Sequence, residues 1–484
     1  MAKKSIAKNY IYNLIYQLLT ILLPLITTPY LSRVLGAEPI GIYGYILSIV
    51  TYFILFGSLG IAMYGQREIA YLQNDKQKRS KTFWEICIIR FIMLTVAIIL
   101  FYFAFANKGE YSIYYKILIL YIISNAIDIT WLLQGLEEFD KTVVRNIVVK
   151  FLSLVCIFIF IKEPTDLWKY ILIYSLAELL GNVTMWMYLP KYIEKVKIKS
   201  LQLLKHIKPT IALFVPQIAI QIYTVLDKTM IGNILGDMTQ VGLYEQAQKI
   251  IRAEIVIATA MNAVMSSRIA NIYVTGKKED IVKELKKSFS FVMLLGIPMM
   301  FGTMAIANKM VPWFYGEGFE KVGPLLIAFS PIILVIGLSN ITGIQYLIPT
   351  KKQNQFTITV TIGAIINVVL NFILIKLVGA IGAVISSVLS EVAILIAQIF
   401  IIRKEVNILE MLKPAIKYLI SGVLMYVVVL NLASIINVSI INTVIQVIVG
   451  TIIYFIALIL LKDRFLGDII NQIFSNIKGK VGKL

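Results

Sequence analysis

Fourteen long apolar runs, separated by short breaks of charge, glycine or proline, follow one another along this chain. They fall at roughly 9–31, 41–66, 83–106, 112–134, 143–161, 166–188, 209–235, 241–267, 286–307, 324–349, 356–376, 380–402, 413–433 and 440–461. A helix of about 20 apolar residues crosses the hydrocarbon of a bilayer, so the expected fold is an all-α polytopic membrane protein with about fourteen transmembrane helices. Composition agrees: of 484 residues, 59% are hydrophobic and 15% charged, against about a quarter charged in soluble domains. One or two soluble cores could not hide that much apolar side chain, which excludes a soluble enzyme. The Lys-rich start leads into a long apolar run without a small-residue cleavage site, and reads as a retained first helix.

A net charge of +19 would point to nucleic acid in a soluble chain, but its position gives it another meaning. With the N terminus inside, thirty-three of the 46 Lys and Arg lie in inward segments and eight in outward ones. Basic flanks stay on the cytoplasmic side, so an even number of spans is expected, with both termini cytoplasmic. The basic connections 189–208 and 268–287 read as topogenic charge with an attraction to anionic lipid headgroups. Five bases remain inside the spans: Arg90, Lys150, Lys228, Lys249 and Arg252.

No outward loop is long enough for a catalytic domain, and no phosphate loop, Ser/His/Asp set or Cys/His cluster occurs. Cys87 and Cys156 both sit in apolar runs, which gives no support to a disulfide framework or a multi-Cys metal site. The single histidine, His206, lies in a Lys-rich segment and reads as a solvated loop residue. Neither a catalytic residue nor a metal site is expected.

Short words recur at an offset of about 200 to 214 residues. Leu35-Gly36 and Gly41-Ile42-Tyr43 return as Leu235-Gly236 and Gly242-Leu243-Tyr244. The endings Phe158-Ile159-Phe160-Ile161-Lys162 and Phe372-Ile373-Leu374-Ile375-Lys376 match, as do the lone acids Glu178 and Glu391. Their common order predicts a six-plus-six duplication with parallel halves. The expected organisation is a first lobe at 1–190, a basic cytoplasmic linker at 191–208, a second lobe at 209–403, and two further helices with a cytoplasmic tail at 404–484.

Asn13, Gln17, Thr20, Pro24 and Thr27 share one face of span 1, and Gln217, Gln221, Thr224 and Lys228 repeat the spacing in span 7. Glu245, Lys249 and Arg252 do so in span 8. Neutral polar residues in membranes either glue helices or line a wet cleft, and both readings fit these stripes. For Arg90, Lys249 and Arg252, cavity lining is favoured, because charge at bilayer depth is costly. Basic groups there suit an anionic substrate, phosphate above all. Asp227, Asn367 and Asn371 offer oxygen ligands for a sodium ion or, at the acid, a place for a proton, and equally fit helix packing.

Pro29 through Gly36, Gly41 through Tyr45, Trp131-Leu132-Leu133-Gln134-Gly135-Leu136-Glu137, Asp227-Lys228 and Gly242 through Ile250 resemble the bacterial oligosaccharide-lipid flippases. These are the O-antigen and capsule repeat-unit exporters of the superfamily that also holds multidrug exporters and lipid II flippases. The resemblance implies two six-helix lobes in a V around a central cationic cavity, with alternating access. The substrate implied is a polyprenyl-pyrophosphate-linked oligosaccharide, moved from the inner to the outer leaflet of the bacterial cytoplasmic membrane without covalent change. Arg33, Arg67 and Arg90 stand where the family tends to keep bases, and Asp227 where it keeps an acid. With Lys249, Arg252, Gln17 and Gln221 the bases form the expected substrate-binding set, and Asp227, Asn367 and Asn371 the ion-coupling set. The chain departs from lipid II flippases at Asn371, where those carry an acid. No cofactor is expected; sodium, a proton or the membrane potential would drive the cycle. Expected partners are the lipid-linked substrate, membrane lipids and the polysaccharide polymerase machinery, with no nucleic acid, and the chain is expected to be a monomer. Alternative readings are a lipid II flippase or a multidrug exporter.

Overall fold

The computed structural model describes residues 23–481, and every regular element among them is a helix. Helix α1 (23–35) is followed by α2 (Ala37–Ser58), α3 (Ile61–Tyr71), α4 (Lys76–Phe101), α5 (Ser112–Ala126), α6 (Thr130–Gly135), α7 (Phe139–Phe160) and α8 (Leu167–Trp186). Next come α9 (Ile207–Leu235), α10 (Met238–Ala258), α11 (Asn262–Thr275), α12 (Lys278–Tyr315), α13 (Val322–Phe329) and α14 (Pro331–Thr342). The chain closes with α15 (Gln353–Val378), α16 (Ala380–Ile402), α17 (Ala415–Ile435), α18 (Ile440–Leu460) and α19 (Arg464–Val481).

Among the described residues, twelve helical segments are long and apolar enough to cross a membrane, so the chain is a multi-pass membrane protein. They coincide with twelve of the fourteen apolar runs. The first run lies mostly outside the described residues, and the seventh is α9, several of whose side chains are also outside them. The segment Glu279–Tyr315, with 37 residues, is about 55 Å long at helical rise, well beyond a hydrocarbon core of about 30 Å. Its charged first turns therefore stand clear of the apolar layer.

Packing divides the chain into two compact units that meet in sequence between Gly242 and Leu243. Helix α9, expected from the repeat to open the second lobe, packs with the first unit, against α2 and α3. The repeated glycine words have a physical cause. Gly36 and Gly236 both take positive φ, at 82° and 65°, and end α1 and α9; each N–H donates to the carbonyl four residues back, a closure that glycine adopts without strain. Gly41 and Gly242 make a backbone crossing. A Cβ on Gly41 would lie 1.7 Å from the Met238 carbonyl oxygen, and one on Gly242 would lie 1.9 Å from that of Ala37. Below the crossing, Tyr45 packs its ring on Gly232 and donates to Asn233 Oδ1 at 2.5 Å, while Ser48 and Thr229 hydroxyls meet at 2.7 Å.

The connection 191–208 is tied down along its length. Arg79 donates to the Tyr192 carbonyl from Nε at 3.2 Å and from a terminal nitrogen at 2.8 Å, and the Glu194 N–H donates to Ser80. His206 is buried, which corrects the expectation of a solvated loop residue. Its ring bonds Tyr64 Oη at 2.7 Å and Glu85 Oε2 at 2.8 Å, and Glu85 also takes Lys205 at 2.8 Å and the Gln202 N–H at 2.7 Å. Asp75, in the turn before α4, caps that helix by accepting the Lys78 N–H at 2.9 Å, which holds its carboxyl below the usual range.

Candidate functional site

A polar cavity of the first unit begins at a helix break. The run 112–134 is a single apolar stretch in sequence, yet α5 stops at Ala126 and α6 restarts at Thr130. Asp128 sits in the gap, where Oδ1 accepts the Thr130 N–H at 2.9 Å and its carbonyl accepts Trp131 Nε1 at 3.2 Å. Trp186 Nε1 donates to the Ile127 carbonyl at 2.7 Å. From behind, Arg90 of α4 donates Nε to the Asn125 carbonyl at 2.8 Å and reaches Asp128 Oδ2 at 3.4 Å. Trp131 lies flat against Phe83, with centroids 5.4 Å apart, and fills the space over Gly65, whose missing Cβ would stand 2.4 Å from the indole.

In front of this break a chamber of about 510 Å³ is enclosed by α5 to α8 with Gln66 of α3, within the range of small-molecule sites. Helix α7 supplies Thr142, Arg145, Asn146, Val149 and Lys150, spaced so that they share a face. Arg145 bonds the side-chain oxygens of Asn146 and Asn182, and Asn182 Nδ2 in turn donates to the Ser124 carbonyl at 2.9 Å. Gly181 clears room for this guanidinium, since a Cβ there would stand 2.9 Å from Arg145 Nε. The charged lining is two bases, Arg145 and Lys150, and two acids, Asp128 and Glu178. Five amides, Gln66, Asn125, Gln134, Asn146 and Asn182, and the hydroxyls of Tyr121, Thr130 and Thr142 complete the polar part of the wall. Donors and acceptors in such density suit a neutral, hydroxyl-rich ligand better than a bare ion.

A second cavity of about 570 Å³ lies along the outer side of α7 and α8, almost wholly apolar, with Leu152, Phe160, Trp168, Leu172 and Leu176 among its walls. Val149 lines both cavities. One helix pair thus presents a polar chamber and, one residue away, an apolar groove.

The residues singled out in the sequence are distributed as follows. Arg90 is only 3% exposed and braces the α5–α6 break, with Asp128 between it and the chamber. Arg67 is exposed beside Gln66 and pairs with Glu68 at 3.0 Å. Arg33 is exposed at the end of α1, with a guanidinium nitrogen 3.3 Å from the Pro29 carbonyl. In α10, Lys249 is half-buried with Glu245 at 3.8 Å, and Arg252 is exposed. Gln17 lies outside the described residues, as does the side chain of Gln221. Asp227 and Lys228 are buried in α9, immediately before the Thr229 contact with α2. In the second unit Asn371 donates to Asn367 Oδ1 at 3.1 Å, and Asn367 reaches Ser387 Oγ at 3.4 Å; this amide pair joins α15 to α16. No cluster of three or more metal-ligating side chains occurs among the described residues.

Sequence reasoning passed over Arg145, Asp128, Asn182 and Glu254. The spacing of Thr142, Arg145, Asn146 and Lys150 was a readable signal for a polar helix face, obscured because Arg145, at the edge of the run 143–161, is counted among the inward bases. Glu254 accepts from Thr303 Oγ1 at 2.7 Å, a partner 49 residues away with no local sign.

The chain belongs to the polysaccharide biosynthesis protein family, whose profile matches residues 6–266. A relative from Escherichia coli (strain K12), named "Putative O-antigen transporter", is 25% identical over 394 residues, 80% of this chain and 94% of the relative. A Shigella dysenteriae relative of the same name is 22% identical over 380 residues, 78% of this chain and 94% of its own. Among solved structures, "Lipid II flippase MurJ, inward closed conformation" superposes with a TM-score of 0.72 at 16% identity, covering 94% of this chain and 99% of that one. An inward-facing multidrug resistance MATE family transporter gives 0.62 at 14% identity, covering 82% and 98%. The fold is the one these membrane transporters share.

Proposed function

We propose that the chain is a flippase that carries polyprenyl-pyrophosphate-linked oligosaccharide repeat units from the inner to the outer leaflet of the bacterial cytoplasmic membrane, by alternating access, for surface polysaccharide biosynthesis. The observation that carries this reading is the chamber with its adjoining groove in the first unit. A lipid-linked saccharide needs hydrogen-bond partners for its sugars inside the membrane and an apolar path for its isoprenoid chain, and the α7–α8 pair offers both one residue apart. The amides and the Asp128 and Glu178 carboxylates meet the sugar hydroxyls; Arg145 and Lys150 face the phosphates. Transfer between leaflets breaks no covalent bond, so the work is binding and release. The family and the names of the relatives support the same reading. A multidrug exporter for cationic compounds would be served by an excess of acids, and the chamber has equal numbers of acids and bases.

Energy enters, in this reading, through sodium, a proton or the membrane potential acting at Asp227 and the Asn367–Asn371 pair. The chain works as a monomer that hands its product to a polymerase on the far side.

The test is export. Gln66 and Gln134 border the chamber, and neither makes a side-chain hydrogen bond among the described residues. Replacing both, as Gln66→Leu with Gln134→Leu, in a strain relying on this protein should cut surface polysaccharide at least about tenfold, the effect of losing two hydrogen bonds of roughly 1 kcal/mol each. Protein level in the membrane should be unchanged. Full export by the double variant removes the chamber from the transport path.

A further inference from the structure

At one end of the second unit, α12, α17 and α19 surround an open pocket of about 970 Å³. The charge asymmetry of the loops puts this end on the cytoplasmic side. Six bases line it: Lys283, Lys286 and Lys287 from α12, Lys413 and Lys417 at the head of α17, and Arg464 at the start of α19. Its acids are Glu279, Asp463 and Asp468, and they do not cancel the bases. Asp463 is already committed, accepting from Tyr418 Oη at 3.1 Å and from the Leu466 N–H at 2.9 Å. Lys286 pairs with Glu410 at 2.9 Å and Lys287 with Glu284 at 3.0 Å. Lys283, Lys413 and Arg464 have no ion pair within 4 Å among the described residues, and all three are exposed.

The pocket is built rather than incidental. The two bonds of Asp463 lock the first turn of α19 to α17, Lys417 Nζ donates to the Lys462 carbonyl at 2.9 Å, and Tyr454 Oη ties α18 to the Met293 carbonyl of α12 at 3.3 Å. Helix α19 is strongly amphipathic and sets Phe465, Ile469 and Ile470 against the core, which fixes its first turn as a wall of the pocket. Starting one turn above Lys413, α17 exposes Ile416, Ile420, Val423, Leu424 and Val427, an apolar strip that faces lipid in a multi-pass protein.

We propose that this pocket holds the phosphate headgroup of an anionic glycerophospholipid from the cytoplasmic leaflet, with its acyl chains along the exposed strip of α17. A soluble phosphate would satisfy the bases but would leave the strip unused; a zwitterionic lipid would use the strip but bring its own cation to a pocket already rich in them.

Native mass spectrometry of the purified full chain reads this directly. Phosphatidylglycerol should be retained more tightly than phosphatidylcholine of the same chains, and millimolar inorganic phosphate should not displace it. The combined variant Lys283→Gln, Lys413→Gln and Arg464→Gln should weaken phosphatidylglycerol at least about tenfold and leave phosphatidylcholine unchanged. Equal retention of the two lipids by the unaltered chain, or unchanged phosphatidylglycerol affinity in the variant, overturns the proposal; displacement by inorganic phosphate reassigns the pocket to a soluble anion and overturns it too. Should the triple variant not be recovered, Lys413→Glu alone, read in the same way, decides the matter.

Discussion

Residue 41 has no side chain because there is no room for one: the Met238 carbonyl occupies the place where a Cβ would stand. The same holds for Gly242 against Ala37. A Gly41→Val substitution must push two helix backbones apart, and overpacking of this kind costs at least about 2 kcal/mol. The expected result is a clear drop in the unfolding temperature of the detergent-solubilised protein. Gly467→Ala, at an α19 position with nothing within 4 Å, should leave that temperature unchanged or raise it slightly, since alanine favours helix. Equal effects from the two would mean that the crossing does not set stability. The glycines were legible as a repeated word long before their reason was, because close backbone approach leaves no mark on composition. His206 was misread for a related cause. Its neighbours in sequence are basic and solvated in type, while the Tyr64 and Glu85 that bury it stand 142 and 121 residues away.

Among the elements, the α5–α6 break shows what a hydropathy run conceals. Residues 112–134 contain no glycine or proline, and the one local sign of a break is Asp128, whose side chain takes the Thr130 N–H; side chains from α4 and α8 hold the interruption. Arg90, favoured from sequence as a cavity-lining base, belongs to this brace. Arg90→Ala would remove the guanidinium bond to the Asn125 carbonyl and the ion pair to Asp128, charge-assisted contacts whose loss costs about 2 kcal/mol. The expected phenotype is lowered thermal stability of the extracted protein, with export falling in step with the amount of folded protein. A variant as stable as the unaltered chain but unable to export would return Arg90 to the substrate path. The α7 face is the converse case. Its spacing was there to be read, but the apolar run begins at 143 and Arg145 is counted with the inward bases, whereas the helix begins at Phe139.

For the molecule as a whole, the apolar runs were the most legible feature, because each is a sum over many residues and tolerates local error. Twelve of the expected spans are found among the described residues. What the sums do not contain is how the charge is used: some of the bases expected to face inward bind a connection to its own unit, as Arg79 and Lys205 do, while Lys283, Lys413 and Arg464 make no ion pair within 4 Å among the described residues. The topology itself makes a separate prediction. Lys108 lies in a segment expected outside and Lys404 in one expected inside, and both side chains are exposed. In a background of Cys87→Ala and Cys156→Ala, Lys108→Cys should react with a membrane-impermeant thiol reagent in intact cells. Lys404→Cys should react only after the membrane is opened. The two positions are separated by an odd number of expected spans, so reaction of both from the same side would break the span count between them. Reaction of Lys404→Cys alone in intact cells would keep the count and invert the chain, placing both termini outside against the thirty-three-to-eight bias in basic residues.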